Sequence, residues 1–190
     1  MTHLGTKTLE TPCLILRKYQ LSDAEDMYHN WANSPAVTRF LSWEPHKDAE
    51  ETRQVIIRFI EAYQKDDNYN WTLELKEIGQ VVGSLAVVNL HERHGKCELG
   101  YCLSERFWGR GLMAEAVARV IDFLFTEVGL HRVAALHSTL NPASGKVMEK
   151  NGMKLEGTLQ QDHLMKDGCF CDSNIRAILR EDWEKAHQTK

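Results

Sequence analysis

The sequence predicts an α+β protein built on a mixed sheet, and three observations predict it. Asn70 to Leu75 and Val81 to Leu90 are strand-like and joined by a short turn at Glu77-Ile78-Gly79-Gln80, the pattern of an antiparallel pair. Between Cys97 and Gly152 the order is strand, helix, strand, helix, and a helical crossover is how two strands become parallel. The tail, Leu155 to Met165 and Cys171 to Leu179 about Lys166-Asp167-Gly168, reads as a hairpin.

Each element has a local cause. Thr11 to Arg17 reads as a first strand, and Ser22-Asp-Ala-Glu25 has the spacing of a capping box ahead of a helix to about Ala32. Near Asp48 a second helix begins, with Val55, Ile56, Phe59, Ile60 and Tyr63 at helical spacing. Its acidic start, Asp48-Ala49-Glu50-Glu51, suits the positive end of the helix dipole. Cys97 to Leu103 is a strand that runs into a glycine-containing loop and a long helix to about Glu127. In that helix Met113, Val117, Val120, Ile121 and Leu124 form one apolar face. Gly129 ends it in the way glycine ends helices. Arg132 to Ser138 is the next strand. Asn141-Pro142 opens a helix that Asn151-Gly152 closes, proline suiting the first turn and glycine the exit.

Composition excludes several classes. The chain has 190 residues, the size of one domain, with 43% hydrophobic and 26% charged residues, so disorder and a coiled-coil rod are ruled out. A formal net charge of −4 speaks against a general nucleic-acid coat. No run approaches the ~18 apolar residues of a membrane span, and the N-terminus lacks the apolar core of a secretory signal. A cytoplasmic protein with no membrane partner is expected. Five cysteines (Cys13, Cys97, Cys102, Cys169, Cys171) fit no disulfide framework. Cys169-x-Cys171 near His163 falls short of a four-ligand metal site and reads as two residues on one strand face, so no metal is expected. Trp31, Trp43, Trp71, Trp108 and Trp183 are scattered, which favours core or pocket wall over a nucleic-acid stacking platform. His131 and His137, at the ends of a strand, read as packed or surface residues.

Three constellations bear on chemistry. Gly109-Arg110-Gly111 lies between a strand and a helix, where glycine lets a ligand approach the first-turn N–H groups, and Arg106 and Arg110 add charge for phosphates. Neither the Lys-Ser/Thr of a nucleotide P-loop nor the three glycines of a dinucleotide fingerprint is present, and taken alone, glycines before a helix are more often a plain loop. Asn141-Pro142-Ala143-Ser144 is a helix cap, which accounts for Asn141 but leaves Ser144 unexplained. Glu98, an acid inside a strand between Cys97 and Leu99, is either a solvent-facing residue or a carboxylate that accepts a proton.

Together, and in this order, these pieces resemble the GNAT superfamily of acetyl-CoA-dependent N-acetyltransferases, and within it the RimJ/RimL group that acetylates ribosomal-protein N-termini. Thr11-Pro12-Cys13-Leu14-Ile15-Leu16-Arg17 resembles the opening strand, Glu98-Leu99-Gly100-Tyr101-Cys102-Leu103 the central one, and Trp108 through Ala116 the pyrophosphate loop. Asn141 through Ser144 with Glu149 to Met153 resembles the second cofactor segment, and Glu156-Gly157, Gly168, Asp172 and Asp182-Trp183 complete the likeness. Met113 departs from it, standing where the family usually has alanine or glycine; it either crowds the cofactor or packs beneath it.

The resemblance implies a single acetyltransferase domain over residues 1–190, with two splayed parallel strands at Cys97–Leu103 and Arg132–Ser138 holding acetyl-CoA. It implies that backbone around Tyr101, Cys102 and Leu103 pairs with the pantetheine arm. The segment Arg106, Trp108, Gly109, Arg110, Gly111, Leu112, Met113 and Ala114 would hold the pyrophosphate, Asn141 the cofactor's arm, and Ser144 would donate to the departing thiolate. Glu98 matches the strand glutamate that serves as base in related histone acetyltransferases. The implied reaction is direct acetyl transfer to a primary amine: a protein N-terminal α-amine, or a small molecule such as a polyamine, amino sugar or toxic amine. A catalytically silent acyl-CoA-binding module is the remaining alternative, and monomer or homodimer the expected assembly.

Overall fold

The structure is a computed structural model, and it describes residues 1–188. Its strands form one mixed eight-stranded sheet in the order β1-β2-β3-β4-β5-β6-β8-β7. They are β1 (Leu9–Glu10), β2 (Leu14–Arg17), β3 (Asn70–Leu75), β4 (Gln80–His91), β5 (Lys96–Leu103), β6 (Arg132–Ser138), β7 (Lys154–Leu164) and β8 (Phe170–Leu179). The helices are α1 (Ala24–Met27), α2 (Pro35–Thr38), α3 (Ala49–Ala62), α4 (Leu112–Phe123), α5 (Pro142–Lys150) and α6 (Arg180–Gln188). The chain divides into two compact units, one of His3–Ala86 with Tyr101–Arg119, the other of Met1–Thr2, Val87–Gly100 and everything from Val120 onward.

In the first unit β1 to β4 pair antiparallel in sequence, and β3 occupies the span expected for it. The first strand is shorter than expected. Thr11 to Cys13 turn instead of extending, with the Thr11 hydroxyl and the Leu14 backbone bonded to each other. The helix expected from Ser22 also starts differently. Asp23 accepts from the Gln20 N–H at 2.8 Å and is gripped by Arg17, so a 3₁₀ turn over Leu21–Asp23 precedes α1, and a π turn over Tyr28–Ala32 follows it. Arg17 also bonds Glu74, which ties the end of β2 to β3. Helix α3 starts where the sequence places it, with Asp48 accepting from the Glu51 N–H at 2.8 Å. Its Ile56 joins Tyr19, Met27, Trp31 and Val81 in one apolar cluster.

In the second unit β5 and β6 are parallel from Lys96↔Arg132 to Leu99↔Ala135, and the register stops there although both strands continue. Helix α4 begins in the first unit and ends in the second, and its apolar face is buried at every expected position, Met113 included at 5% exposure, so that methionine packs into the core. Helix α4 ends in a π turn over Leu124–Val128, and Gly129 adopts φ +81°. The hairpin β7–β8 forms as expected, and α6 follows it. Cys169 lies in the turn ahead of β8, exposed, whereas Cys171 is buried on the strand with its Sγ 3.2 Å from the Ser138 hydroxyl. The two cysteines therefore do not share a strand face.

Strand β7 is the last in the sheet and carries exposed Leu155, Leu159 and Leu164. Its ladder with β8 is interrupted between Leu159 and His163, where Gln161 takes φ +51° and its N–H donates to the Asp172 carboxylate at 2.9 Å. A non-glycine residue in that region is a pinned irregularity, the mark of a built bulge. Among the described residues no helix is long and apolar enough to cross a membrane.

Candidate active site

The functional residues of the first unit gather around the ends of β4 and β5. Gly83, in the interior of β4, lies against the backbone of Cys102 and Leu103: a Cβ there would stand 2.5 Å from the Cys102 carbonyl oxygen and 3.1 Å from the Leu103 Cα. The neighbouring Val82 carbonyl accepts from the Ser104 N–H at 2.8 Å. Gly83 was no candidate from sequence, although a lone glycine inside an apolar strand is itself a sign of close backbone approach. Beside it the Cys102 Sγ sits 3.4 Å from the Ser84 hydroxyl, and burial pushes the Cys102 thiol up to about 11. A thiol so reluctant to ionise is a poor nucleophile, which argues against an acetyl-cysteine intermediate.

After β5 a 3₁₀ turn over Glu105–Phe107 leads to Gly109 and Gly111, at φ +79° and +83°. No atom lies within 4 Å of where a Cβ would stand at either glycine. The loop is thus bent by two residues suited to left-handed backbone and is open on the side their side chains would occupy. Helix α4 begins at once at Leu112, which brings the positive end of its dipole to that opening. The Arg106 and Arg110 guanidinium groups both lie over the Phe107 ring, at 5.6 and 5.5 Å. Arg106 also reaches the Asn30 amide oxygen at 3.5 Å, and Arg110 the Glu77 carboxylate at 2.7 Å. Trp108 is half exposed and donates its indole N–H to the Leu103 carbonyl at 2.8 Å, fastening the loop to the end of β5.

In the second unit Glu98 stands beside Ala134 in the parallel register, half-buried, and its carboxylate accepts from the Asn89 side-chain amide at 2.7 Å. Asn141 caps α5: its side-chain oxygen accepts from the Ser144 N–H at 3.3 Å, and Pro142 takes the first helical position. Asn141 and Ser144 are therefore joined in one cap. Behind that cap lies His137, buried inside β6. Its Nδ1 is 2.9 Å from the Ser138 carbonyl, and its Nε2 has no hydrogen-bond partner. A Cβ at Gly145 would stand 2.7 Å from the ring's Cε1 and 2.8 Å from Nε2. The ring fills the space that the missing side chain leaves, which keys the first turn of α5 to β6. Gly145→Ala is expected to cost about 1–3 kcal/mol through overpacking, read as a lower melting temperature. The double substitution with His137→Ala should recover part of that loss by making room.

The acetyltransferase (GNAT) domain family matches residues 14–154. The uncharacterized N-acetyltransferase YoaA of Bacillus subtilis is 30% identical over 172 residues, covering 90% of this chain and 96% of that protein. The [ribosomal protein uS5]-alanine N-acetyltransferase of Escherichia coli is 32% identical over 87 residues, 46% of this chain and 44% of that one. Among solved structures, RimL, a ribosomal L7/L12 alpha-N-protein acetyltransferase in complex with coenzyme A, superposes with a TM-score of 0.82 at 21% identity, covering 93% of this chain and 99% of that one; at this identity the likeness speaks for the fold. Sheet order, parallel β5–β6 pair, open glycine loop and family match agree, and the chain belongs to the GNAT family as an acetyl-CoA-dependent N-acetyltransferase.

Proposed function

We propose that the chain, acting as one acetyltransferase domain over residues 1–190, moves the acetyl group of acetyl-CoA onto a protein N-terminal α-amine. The observation that carries the cosubstrate assignment is the open bend at Gly109 and Gly111, with two guanidinium groups on Phe107 and the start of α4 facing it. Dipole, backbone N–H groups and guanidinium groups are the parts of a diphosphate site. In this reading Arg106 to Ala114 hold the pyrophosphate, and backbone at Tyr101 to Leu103 pairs with the pantetheine arm. Asn141 bonds the arm, Ser144 donates to the leaving sulfur, and Glu98 takes the amine's proton, directly or through water. The acceptor assignment is supported by the relatives named for ribosomal-protein alanine acetylation. A cytoplasmic location suits such an acceptor.

The chemistry favours an α-amine on magnitude. With a pKa of ~8, roughly a tenth of it is free base at pH 7, against a few parts in ten thousand for a lysine at ~10.4. The free amine attacks the thioester carbonyl, and the tetrahedral intermediate collapses with loss of the thiolate, so the acetyl group passes in one transfer. With the Cys102 thiol held near 11 by burial, direct attack is the simpler route.

The test is calorimetric titration of acetyl-CoA together with thiol release over a panel of N-terminal peptides and small amines. Release on Ala- or Ser-starting peptides supports the N-terminal acceptor. Release on polyamines or amino sugars alone replaces it with a small-molecule acceptor, and absence of acetyl-CoA binding removes the site assignment.

A further inference from the structure

We propose that Glu77 is a built-in competitor for the phosphate position at Arg110, so that this chain admits its cosubstrate by exchanging a carboxylate for a more highly charged anion. The proposal rests on the reading of Arg106 to Ala114 as the phosphate-holding segment.

Glu77 stands in the turn between β3 and β4, a turn closed by Ile78 and Gly79 N–H groups on the Leu75 carbonyl. Its neighbour Lys76 is engaged elsewhere, bonding Glu10 at 3.0 Å and the Thr11 carbonyl at 2.8 Å. The turn therefore does not neutralise its own acid, and Glu77 reaches Arg110 at 2.7 Å. Both side chains are largely in solvent, at 63% and 45% exposure, so the pair is loosely held and exchangeable. Arg110 is positioned without it, by the Phe107 ring at 5.5 Å and the fixed bend of Gly109 and Gly111. Arg106, the other guanidinium on that ring, meets the neutral Asn30 amide. Of the two arginines, only Arg110 thus carries a negative partner among the bonds described.

The consequence is selectivity by charge. An incoming monoanion gains little over the carboxylate already on Arg110, whereas the bridging pyrophosphate of the cosubstrate brings two charges, one on each phosphoryl group, with four non-bridging acceptor oxygens, and displaces it. Glu77 lowers affinity for every anion at that position, and the loss weighs most on the least charged.

Titration of acetyl-CoA into the wild type, Glu77→Gln, Arg110→Gln and the double variant decides the matter. Glu77→Gln is expected to tighten binding about two- to fivefold at low ionic strength, the scale of an exposed ion pair, with the gain fading in high salt. In the Arg110→Gln background the same substitution should change nothing. Acetyl-pantetheine, which lacks the phosphates, should bind Glu77→Gln and wild type alike. Weaker or unchanged acetyl-CoA binding by Glu77→Gln, or equal tightening without Arg110, overturns the proposal. If Arg110→Gln weakens binding while Glu77→Gln does not tighten it, the phosphate reading stands and only the competitor fails. If Arg110→Gln costs no affinity in either background, Arg110 does not meet the phosphates and both fall.

Discussion

Replacing Gly83 by alanine is expected to lower the melting temperature by about 2–12 °C and to cut kcat/KM for acetyl-CoA by about 10²-fold. The added methyl would meet the Cys102 carbonyl oxygen at 2.5 Å and the Leu103 Cα at 3.1 Å. Both are backbone atoms of a central strand and cannot swing aside as a long side chain would. Relief requires β4 and β5 to part or slide, and overpacking of this kind costs about 1–3 kcal/mol. The strain falls on the residues proposed to pair with the pantetheine arm, and a displacement near 1 Å there is enough for a loss of about 10²-fold. Thermal melts with and without acetyl-CoA, alongside steady-state kinetics, test both parts. A variant with normal melting and normal kinetics would show that β5 does not hold the cosubstrate in the way proposed.

The second large effect concerns Glu98. Glu98→Gln keeps the shape of the side chain and an oxygen for the Asn89 amide, so the fold should survive unchanged. What it removes is the capacity to take a proton, a contribution of about 10²-fold or more where a base is needed. The deficit should depend on the acceptor and on pH. For a lysine-like amine at pH 7 it should be near its full value. For an α-amine it should be smaller and should shrink as pH rises through ~8, where the free base supplies itself. Thiol-release rates from pH 6 to 9.5 on both kinds of acceptor check this. Ser144→Ala should instead slow transfer to every acceptor by a similar factor and leave acetyl-CoA affinity within a few-fold. Full turnover in both variants would remove the assigned roles.

Much of this architecture is legible in the sequence because its causes are local. Strands β3 and β6 fall on the residues expected from their patterns. Asn141-Pro142 and Gly152 bound α5, and Asp48 starts α3. The misplacements have causes that local pattern does not carry. Ser22 has the spacing of a cap, but Arg17 and the Gln20 N–H claim Asp23, and a partner six residues upstream moves the helix start. Cys169 looks like a strand residue by alternation until the Gly168 turn, closed by its N–H on the Met165 carbonyl, takes it out of the sheet. The short α2 and the terminal α6 have too little periodic pattern to stand out. At the site, glycine loop, cap and strand acid were all visible as residue types. The contacts of Gly83 with Cys102, Gly145 with His137 and Glu98 with Asn89 arise when separate segments meet, and no spacing rule encodes them.

The bulge at Gln161 bears on how copies of the chain meet one another. An edge strand as long as β7, with exposed leucines at 155, 159 and 164, offers unpaired backbone to any other strand, and a flat edge of that length is where chains stack into aggregates. The left-handed residue divides that edge into the stretch before it, Lys154 to Gln160, and the three residues after it. Because Gln161 is anchored to Asp172, the break does not anneal when another strand approaches. The ladder already shifts register once between Leu155 and Gly157, so a straight incoming strand meets two irregularities along β7, and ribbon-like growth through it is interrupted within one strand length.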